Sequence, residues 1–172
     1  FSWFDEEMGA LDILVNAAGI NVPKRTMPEL STEDWDAVIQ VNLTGAFDCL
    51  RFALERMRPK KDGLVVMINS VSGKRSNPLG GVAYNASKFG MTGLGSCVAE
   101  EERENGIRIT NVFPGEVNTP ILDQRPVPPS TEHRAGILQP QDIAEAVMML
   151  ARLHPRAHIP ELVIKPTSQS YV

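Results

Sequence analysis

The central segment of the chain reads Gly-Leu-Val-Val-Met-Ile-Asn-Ser at 63–70, Val-Ser-Gly-Lys-Arg-Ser-Asn-Pro-Leu-Gly-Gly-Val-Ala at 71–83, and Tyr-Asn-Ala-Ser-Lys at 84–88. The first part is short, apolar and uncharged, which predicts a buried strand. The second part is rich in Gly, Ser and Pro, which predicts a loop. Tyr84 and Lys88 are four residues apart where helical spacing begins, so the phenol and the ammonium share one helix face. A strand that delivers the Ser70 hydroxyl to a Tyr–Lys pair is typical of a proton-transfer site.

Three further stretches read Leu-Val-Asn-Ala-Ala-Gly at 14–19, Val-Asn-Leu-Thr-Gly at 41–45, and Pro-Gly-Glu-Val-Asn-Thr at 114–119. Together with Asn-Ser-x-x-Gly at 69–73 and Tyr-x-x-x-Lys at 84–88, they resemble the motifs of the short-chain dehydrogenase/reductase family, in the family's order. The Tyr-x-x-x-Lys spacing alone arises by chance, whereas several motifs in register are a strong signal. The resemblance extends over almost the whole chain.

The resemblance implies a catalytic set of Asn42, Ser70, Tyr84 and Lys88. Tyr84 is expected to exchange a proton with the substrate, and the ammonium of Lys88 is expected to lower the pKa of that phenol. Ser70 is expected to hydrogen-bond the substrate oxygen, and Asn42 to anchor a water path to Lys88. Family spacing selects Ser70, and it leaves Ser72 as loop scaffolding.

The resemblance also implies a nicotinamide cofactor, NADP or NAD. The ending Pro-Thr-Ser-Gln-Ser at 166–170 resembles NADP-dependent reductases, which favours NADP. In the family the main chain of Val117 pairs with the nicotinamide carboxamide, Thr119 adds a hydroxyl, and Lys88 holds the ribose. The expected cofactor-binding residues are Asn16, Ala17, Ala18, Gly19, Tyr84, Lys88, Pro114, Gly115, Val117 and Thr119. Ala17 stands where the family usually has a second Asn.

The resemblance implies an α/β fold, a Rossmann-like doubly wound parallel sheet, of which this chain holds about four of the later strands and their flanking helices. Strands are predicted at 11–15, 64–68, 107–113 and 162–164. Helices are predicted at 32–58, at 84–104 and from 140 onward, after a short helix tail at 1–8. Residues 121–138 are rich in proline and are expected to form the substrate loop within a single partial domain over 1–172.

The family begins with a strand, a glycine-rich turn and a helix that hold the cofactor pyrophosphate. No such turn occurs in this sequence. We expect the chain to be a portion of a longer protein, in preference to a gap filled by a partner or a self-sufficient truncated enzyme. The strand at 11–15 would otherwise present an uncovered apolar edge.

Composition narrows the range of partners. The formal net charge is -4, and no basic stretch indicates nucleic acid. No apolar run in the sequence is expected to be long enough to span a membrane. No metal site is expected either, since Pro155 interrupts the spacing of His154 and His158. Cys49 and Cys97 both fall in helical patterns, which favours a reducing, cytoplasmic location.

The predicted function is hydride transfer between a nicotinamide and a small carbonyl compound or secondary alcohol, with Tyr84 as acid and base. Two alternatives remain open. The chain could be an incomplete, inactive member of the family that serves as an oligomerising or interaction module, or a sugar-nucleotide epimerase or dehydratase. A homodimer or homotetramer is expected through the helices at 32–58 and 84–104, as in relatives.

Overall fold

The computed structural model describes residues 2–170 and contains a four-stranded parallel sheet in the order β1-β2-β3-β4. The strands are β1 (Ile13–Asn16), β2 (Gly63–Ile68), β3 (Ile107–Pro114) and β4 (Glu161–Ile164). All three neighbouring pairs are parallel, so a helical crossover must separate each strand from the next. The predicted fold class is confirmed, and the predicted strands agree with the observed ones to within two residues.

The helices are α1 (Ser2–Glu7), α2 (Thr32–Ile39), α3 (Gly45–Met57), α4 (Val82–Glu101), α5 (Thr131–Gly136) and α6 (Pro140–Arg152). Ser31 caps α2, because its hydroxyl accepts a hydrogen bond from the Asp34 amide at 3.1 Å. The predicted helix over 32–58 is confirmed in its extent, but it is not α-helical throughout. One π-helical turn, Gln40–Thr44, separates α2 from α3.

Helices cover both faces of the sheet, as a doubly wound fold requires. The side chains of β2 alternate between the two faces, since successive residues of a strand point in opposite directions. Val65 and Met67 belong to the core cluster that α3 and α4 complete. Leu64 and Val66 belong to the cluster on the opposite face, which Leu150 of α6 completes.

The strand β1 lies at one edge of the sheet. It pairs with β2 on one side, and within residues 2–170 no strand pairs with its other side. Ile13 and Val15 of this strand are exposed. This agrees with the apolar edge expected from the sequence.

One helical stretch in the described part of the chain, Thr32–Lys60, meets the length and composition of a membrane span. The expectation that no apolar run is long enough was therefore wrong on these two criteria. The stretch is long because α2, the π turn and α3 follow one another without a break. Its apolar residues Leu50, Ala53 and Met57 pack in the core against the sheet, which explains its composition without a bilayer.

The carboxyl ends of β1, β2 and β3 lie side by side. Asn16 pairs in register with Met67, and Ile68 pairs with Val112. The loops that leave these three strands therefore meet at one edge of the sheet, where ligands bind in open α/β folds.

Candidate active site

A cavity of about 970 Å³ lies at this carboxyl edge. Ser70, Tyr84 and Lys88 all line it, and so do residues of the segments at 17–25, 114–125 and 140–148. The cavity thus lies between the turn after β1, the turn after β3, the amino end of α4 and the start of α6. Its volume is that of a site for a small organic molecule or cofactor.

Ser70 follows β2 directly and contacts the phenol of Tyr84. The side chain of Ser70 hydrogen-bonds that phenol, and the Ser70 Oγ also accepts from the Ser72 amide at 3.1 Å. The hydroxyl of Ser72 instead accepts from Asn77 Nδ2 at 3.4 Å, within the following loop. The geometry therefore brings Ser70, and not Ser72, against the Tyr84 phenol.

Lys88 is buried one turn after Tyr84 in α4. Its Nζ lies 5.6 Å from the centre of the Tyr84 ring and donates to the Ile68 carbonyl at 3.2 Å. A second contact joins Nζ to the sulfur of Met91 at 3.8 Å. Burial away from water disfavours the ammonium and lowers the pKa of Lys88 to about 8.

The pKa of Tyr84 is raised above its ordinary value, because burial disfavours the charged phenolate. The hydrogen bond with Ser70 and the positive charge of Arg25 both lower this pKa, but they do not offset burial. The expectation that Lys88 lowers the phenol pKa was wrong in direction. The cation that acts on the phenol here is Arg25, and the pKa of Lys88 is itself lowered by burial.

Asn42 lies in the π-helical turn and is 0% exposed. Its Oδ1 accepts from the Ile20 amide at 2.8 Å, and its Nδ2 donates to the Ile20 carbonyl at 3.0 Å and to Ser87 Oγ at 3.1 Å. A Cβ atom added to Gly19 would lie 3.6 Å from Asn42 Oδ1 and 3.7 Å from Lys88 Nζ. Asn42 therefore joins the turn after β1 to α4 behind the cavity.

The turn after β1 contributes only some of the residues expected from the sequence. Ala17 and Gly19 line the cavity, whereas Asn16 and Ala18 do not. The Asn16 Nδ2 donates to the Ala46 carbonyl at 3.1 Å, so this side chain fastens β1 to α3.

The turn after β3 presents main chain to the cavity. Pro114, Gly115, Val117 and Thr119 all line it. The main-chain amide of Asn118, the next residue, donates to the Leu138 carbonyl at 2.8 Å. The N–H and C=O of Val117 itself form no hydrogen bond with any residue in the described part of the chain. These two groups are available to a ligand.

The charged side chains of the substrate-loop region are mostly engaged with protein groups. Arg125 and His133 both pair with Glu116, the latter through Nε2 at 2.9 Å, and Arg134 pairs with Asp123. Burial would raise the pKa of Glu116, but the hydrogen bond from His133 and the charge of Arg125 lower it. Of Asp123, Gln124, Arg125 and His133 in this region, only Arg125 lines the cavity.

Sequence reasoning missed Arg25, which is only 5% exposed and lines the cavity. Its Nε donates to the Val22 carbonyl at 2.8 Å, one terminal nitrogen donates to the Leu79 carbonyl at 3.0 Å, and the other donates to the Gln124 carbonyl. The only local signal is an arginine after Pro23-Lys24 in a loop, a setting in which arginines are normally exposed.

The family profile described as "short chain dehydrogenase" matches residues 1–127. The chain belongs to the short-chain dehydrogenase family. It is 33% identical over 151 residues to a 3-oxoacyl-(acyl-carrier-protein) reductase of Thermotoga maritima, a match that covers 85% of this chain and 61% of that protein. It is 32% identical to a farnesol dehydrogenase of Aedes aegypti, over 99% of this chain and 70% of that protein.

Solved structures of short-chain dehydrogenases agree with the fold. An alcohol dehydrogenase from Thermococcus sibiricus, complexed with 5-hydroxy-NADP, superposes with a TM-score of 0.84 at 28% identity, over 98% of this chain and 68% of that one. The chain spans less than two thirds of the length of four curated relatives that it matches, from 54% to 61%.

Proposed function

We propose that the protein transfers a hydride between a nicotinamide cofactor and a small carbonyl compound or secondary alcohol. One observation carries this proposal: Ser70, Tyr84 and Lys88 line a single cavity next to the free main-chain groups of Val117, with Asn42 buried behind them. Family membership supports an oxidoreductase in general terms, and the cavity supports this reaction class.

Tyr84 is the proton donor in the reduction direction. Its O–H bond breaks as a new O–H bond forms on the substrate oxygen, which leaves a phenolate next to Ser70. Burial raises the pKa of the free phenol, so Tyr84 is protonated at neutral pH and holds the proton that reduction consumes. In the oxidation direction the same oxygen takes the proton back.

Ser70 and Asn42 support this transfer. The Ser70 hydroxyl contacts the phenol and faces the cavity, so it can also donate to a substrate oxygen and stabilise the charge that develops there. Asn42 holds the turn at Ile20 and contacts Ser87, whose hydroxyl donates to the Tyr84 carbonyl at 2.8 Å. Asn42 thereby fixes the turn after β1 relative to the catalytic helix.

A nicotinamide cofactor, when bound, supplies or accepts the hydride. The residues present fit it: the N–H and C=O of Val117 are free to pair with an amide, and Thr119 adds a hydroxyl beside them. The Lys88 ammonium has three N–H groups, one of which donates to Ile68 while another faces Met91, so one remains for a ribose hydroxyl. NADP is favoured over NAD because the Thermococcus relative was solved with an NADP derivative.

The two long helical regions are proposed to form a homodimer or homotetramer interface. Phe47 of α3 and Phe89 of α4 are both exposed, and large apolar side chains on unpacked helix faces favour association. Sedimentation velocity of the wild type and of Phe89→Glu tests this, with dissociation expected for the variant. A wild-type monomer at micromolar concentration would contradict it.

Nucleotide binding is the direct test of the proposed function. Titration of the complete protein with NADPH and with NADH, followed by nucleotide fluorescence, should give saturable binding, tighter for NADPH. A Val117→Pro variant, which removes the free N–H, should weaken binding, whereas Val127→Pro in the exposed loop should not. Absence of saturable binding to either nucleotide would contradict the proposal.

A further inference from the structure

The guanidinium of Arg25 connects three loops that surround the cavity. Its acceptors are the carbonyls of Val22, in the loop after β1, Leu79, in the loop before α4, and Gln124, in the turn at 120–124 that begins the substrate-loop region. Val22 and Leu79 are 57 residues apart in sequence, and Gln124 is 45 residues beyond Leu79. Three separate chain segments therefore meet on one side chain. Without it, no hydrogen bond in the described part of the chain joins Gln124 to the other two loops.

The stem and main chain of Arg25 also pack on the start of the catalytic helix. Gly81 precedes α4 with a φ of 78°, and a Cβ atom there would lie 2.5 Å from the Cβ of Arg25. The Val82 amide, the first of α4, donates to the Arg25 carbonyl at 3.1 Å. Tyr84 is two residues further on, so a shift of Arg25 is transmitted to the helix turn that carries the phenol.

The charge of Arg25 has no acidic partner. Within residues 2–170 no carboxylate lies within ion-pair distance of its nitrogens, although it is almost fully buried. Burial of an unpaired cation is unfavourable, and a Met side chain of similar length would fill the same space without that penalty. The groups that favour the cation here are three carbonyl dipoles and the phenol of Tyr84, whose phenolate it attracts.

We propose that Arg25 is a positioning residue of the active site, which ties the 120–124 turn to the start of the catalytic helix and keeps a fixed positive charge near the phenol. The inference rests on the proposed function for its catalytic meaning. The loop connection and the charge are separate properties, because a lysine retains the charge but lacks the planar fork of donors. Arg25→Lys and Arg25→Met therefore separate the two.

Limited trypsin digestion tests the loop connection without any substrate. Cleavage after Arg134 should accelerate about tenfold in both Arg25→Lys and Arg25→Met, since hydrogen bonds from a charged donor each contribute about a factor of ten or more. Arg108→Met is the matched control, because Arg108 lies at the opposite end of β3 and contacts Asp62. Equal cleavage rates in all four proteins would overturn the connection.

Phenolate absorbance tests the charge. The pH titration of Tyr84, isolated by subtracting that of Tyr84→Phe, should move to higher pH in Arg25→Met, which carries no charge at position 25 at any pH. Arg25→Lys is not used in this titration, because a lysine loses its own proton in the pH range in which the phenol titrates. The groups that face the phenol are Ser70, Lys88 and Arg25, so the first two are unchanged in Arg25→Met. An unmoved titration in Arg25→Met would overturn the charge effect.

Turnover separates this inference from the proposed function. With NADPH and 9,10-phenanthrenequinone as probe, Arg25→Lys should raise KM more than it lowers kcat, and Arg25→Met should change both. If Arg25→Met fails to fold, the digestion test is made with Arg25→Lys and with Gly81→Ala. The added methyl group of Gly81→Ala displaces the Arg25 stem. No turnover by the wild type, together with faster cleavage in the variants, would contradict the proposed function and leave the connection supported.

Discussion

Removal of the Asn42 side chain should destabilise the protein strongly, since this amide is fully buried and makes three hydrogen bonds. Each such bond contributes about 1 kcal/mol, so Asn42→Ala should lower the free energy of unfolding by about 2–3 kcal/mol. The lower end of this range is expected, because the Ser87 hydroxyl loses its bond with Asn42 but keeps its bond to the Tyr84 carbonyl and so is not left without a partner. For a chain of this size the melting temperature should fall by about 5–10 °C.

Urea denaturation followed by tryptophan fluorescence measures this loss, because Trp35 packs in a small core with Val38 close to the π turn. Gln141→Ala is the matched control: Gln141 carries the same kind of amide and is exposed on α6, so its removal should change the free energy of unfolding by less than about 1 kcal/mol. A loss below about 1 kcal/mol for Asn42→Ala, with an unchanged denaturant slope, would refute the structural role assigned to this amide.

Two further predictions concern glycine and lysine. Gly73→Ala should lower the free energy of unfolding by about 1–3 kcal/mol, because a Cβ atom there would lie 2.7 Å from the Asn69 Oδ1 and from the Lys88 carbonyl oxygen. Gly93→Ala, in open space on α4, should stabilise by about 0.5–1 kcal/mol, and thermal melts that rank the two in reverse would contradict the packing. Burial lowers the pKa of Lys88 from its ordinary value of 10.5 to about 8 in the folded protein. Between these pH values the unfolded chain binds more protons than the folded one, so stability rises with pH across that window. Lys88→Met should lose this rise, by up to about 1.4 kcal/mol per pH unit, and an identical slope in urea titrations of both proteins would contradict the burial of the ammonium.

The sheet was predictable because its signals are local. The β2 strand is a short apolar run bounded by Gly63 and Ser70, and the run from Ile107 ends at Pro114. Each segment can be recognised without knowledge of its neighbours. The pairing order then follows from the parallel connections.

The π-helical turn was not predictable, because the apolar spacing continues through it. The spacing of Val38 and Ala46 is that of one continuous helix. The positions of the apolar residues do not show where the backbone hydrogen bonds change from the i,i+4 pattern of an α-helix to the i,i+5 pattern of a π-helix. The position of Asn42 in the turn depends on its bonds to Ile20, which lies 22 residues earlier.

Arg25 and the pKa of Tyr84 were missed for the same physical reason. Both depend on tertiary burial, which sequence spacing does not report. The i,i+4 spacing correctly placed Lys88 beside the Tyr84 ring, but it said nothing of the desolvation that raises the phenol pKa and lowers that of the lysine. The loop segment at 23–25 gave no sign that its arginine lies inside.

The most direct test of the account is hydride transfer by Tyr84→Phe in the complete protein. With NADPH and a carbonyl probe that the wild type reduces, followed at 340 nm, turnover should fall by about 100-fold or more, because positioned proton donors contribute factors of this size. NADPH affinity and the melting temperature should remain near the wild-type values, since the ring stays in place. Near-normal turnover in Tyr84→Phe would contradict the central claim that this phenol supplies the proton.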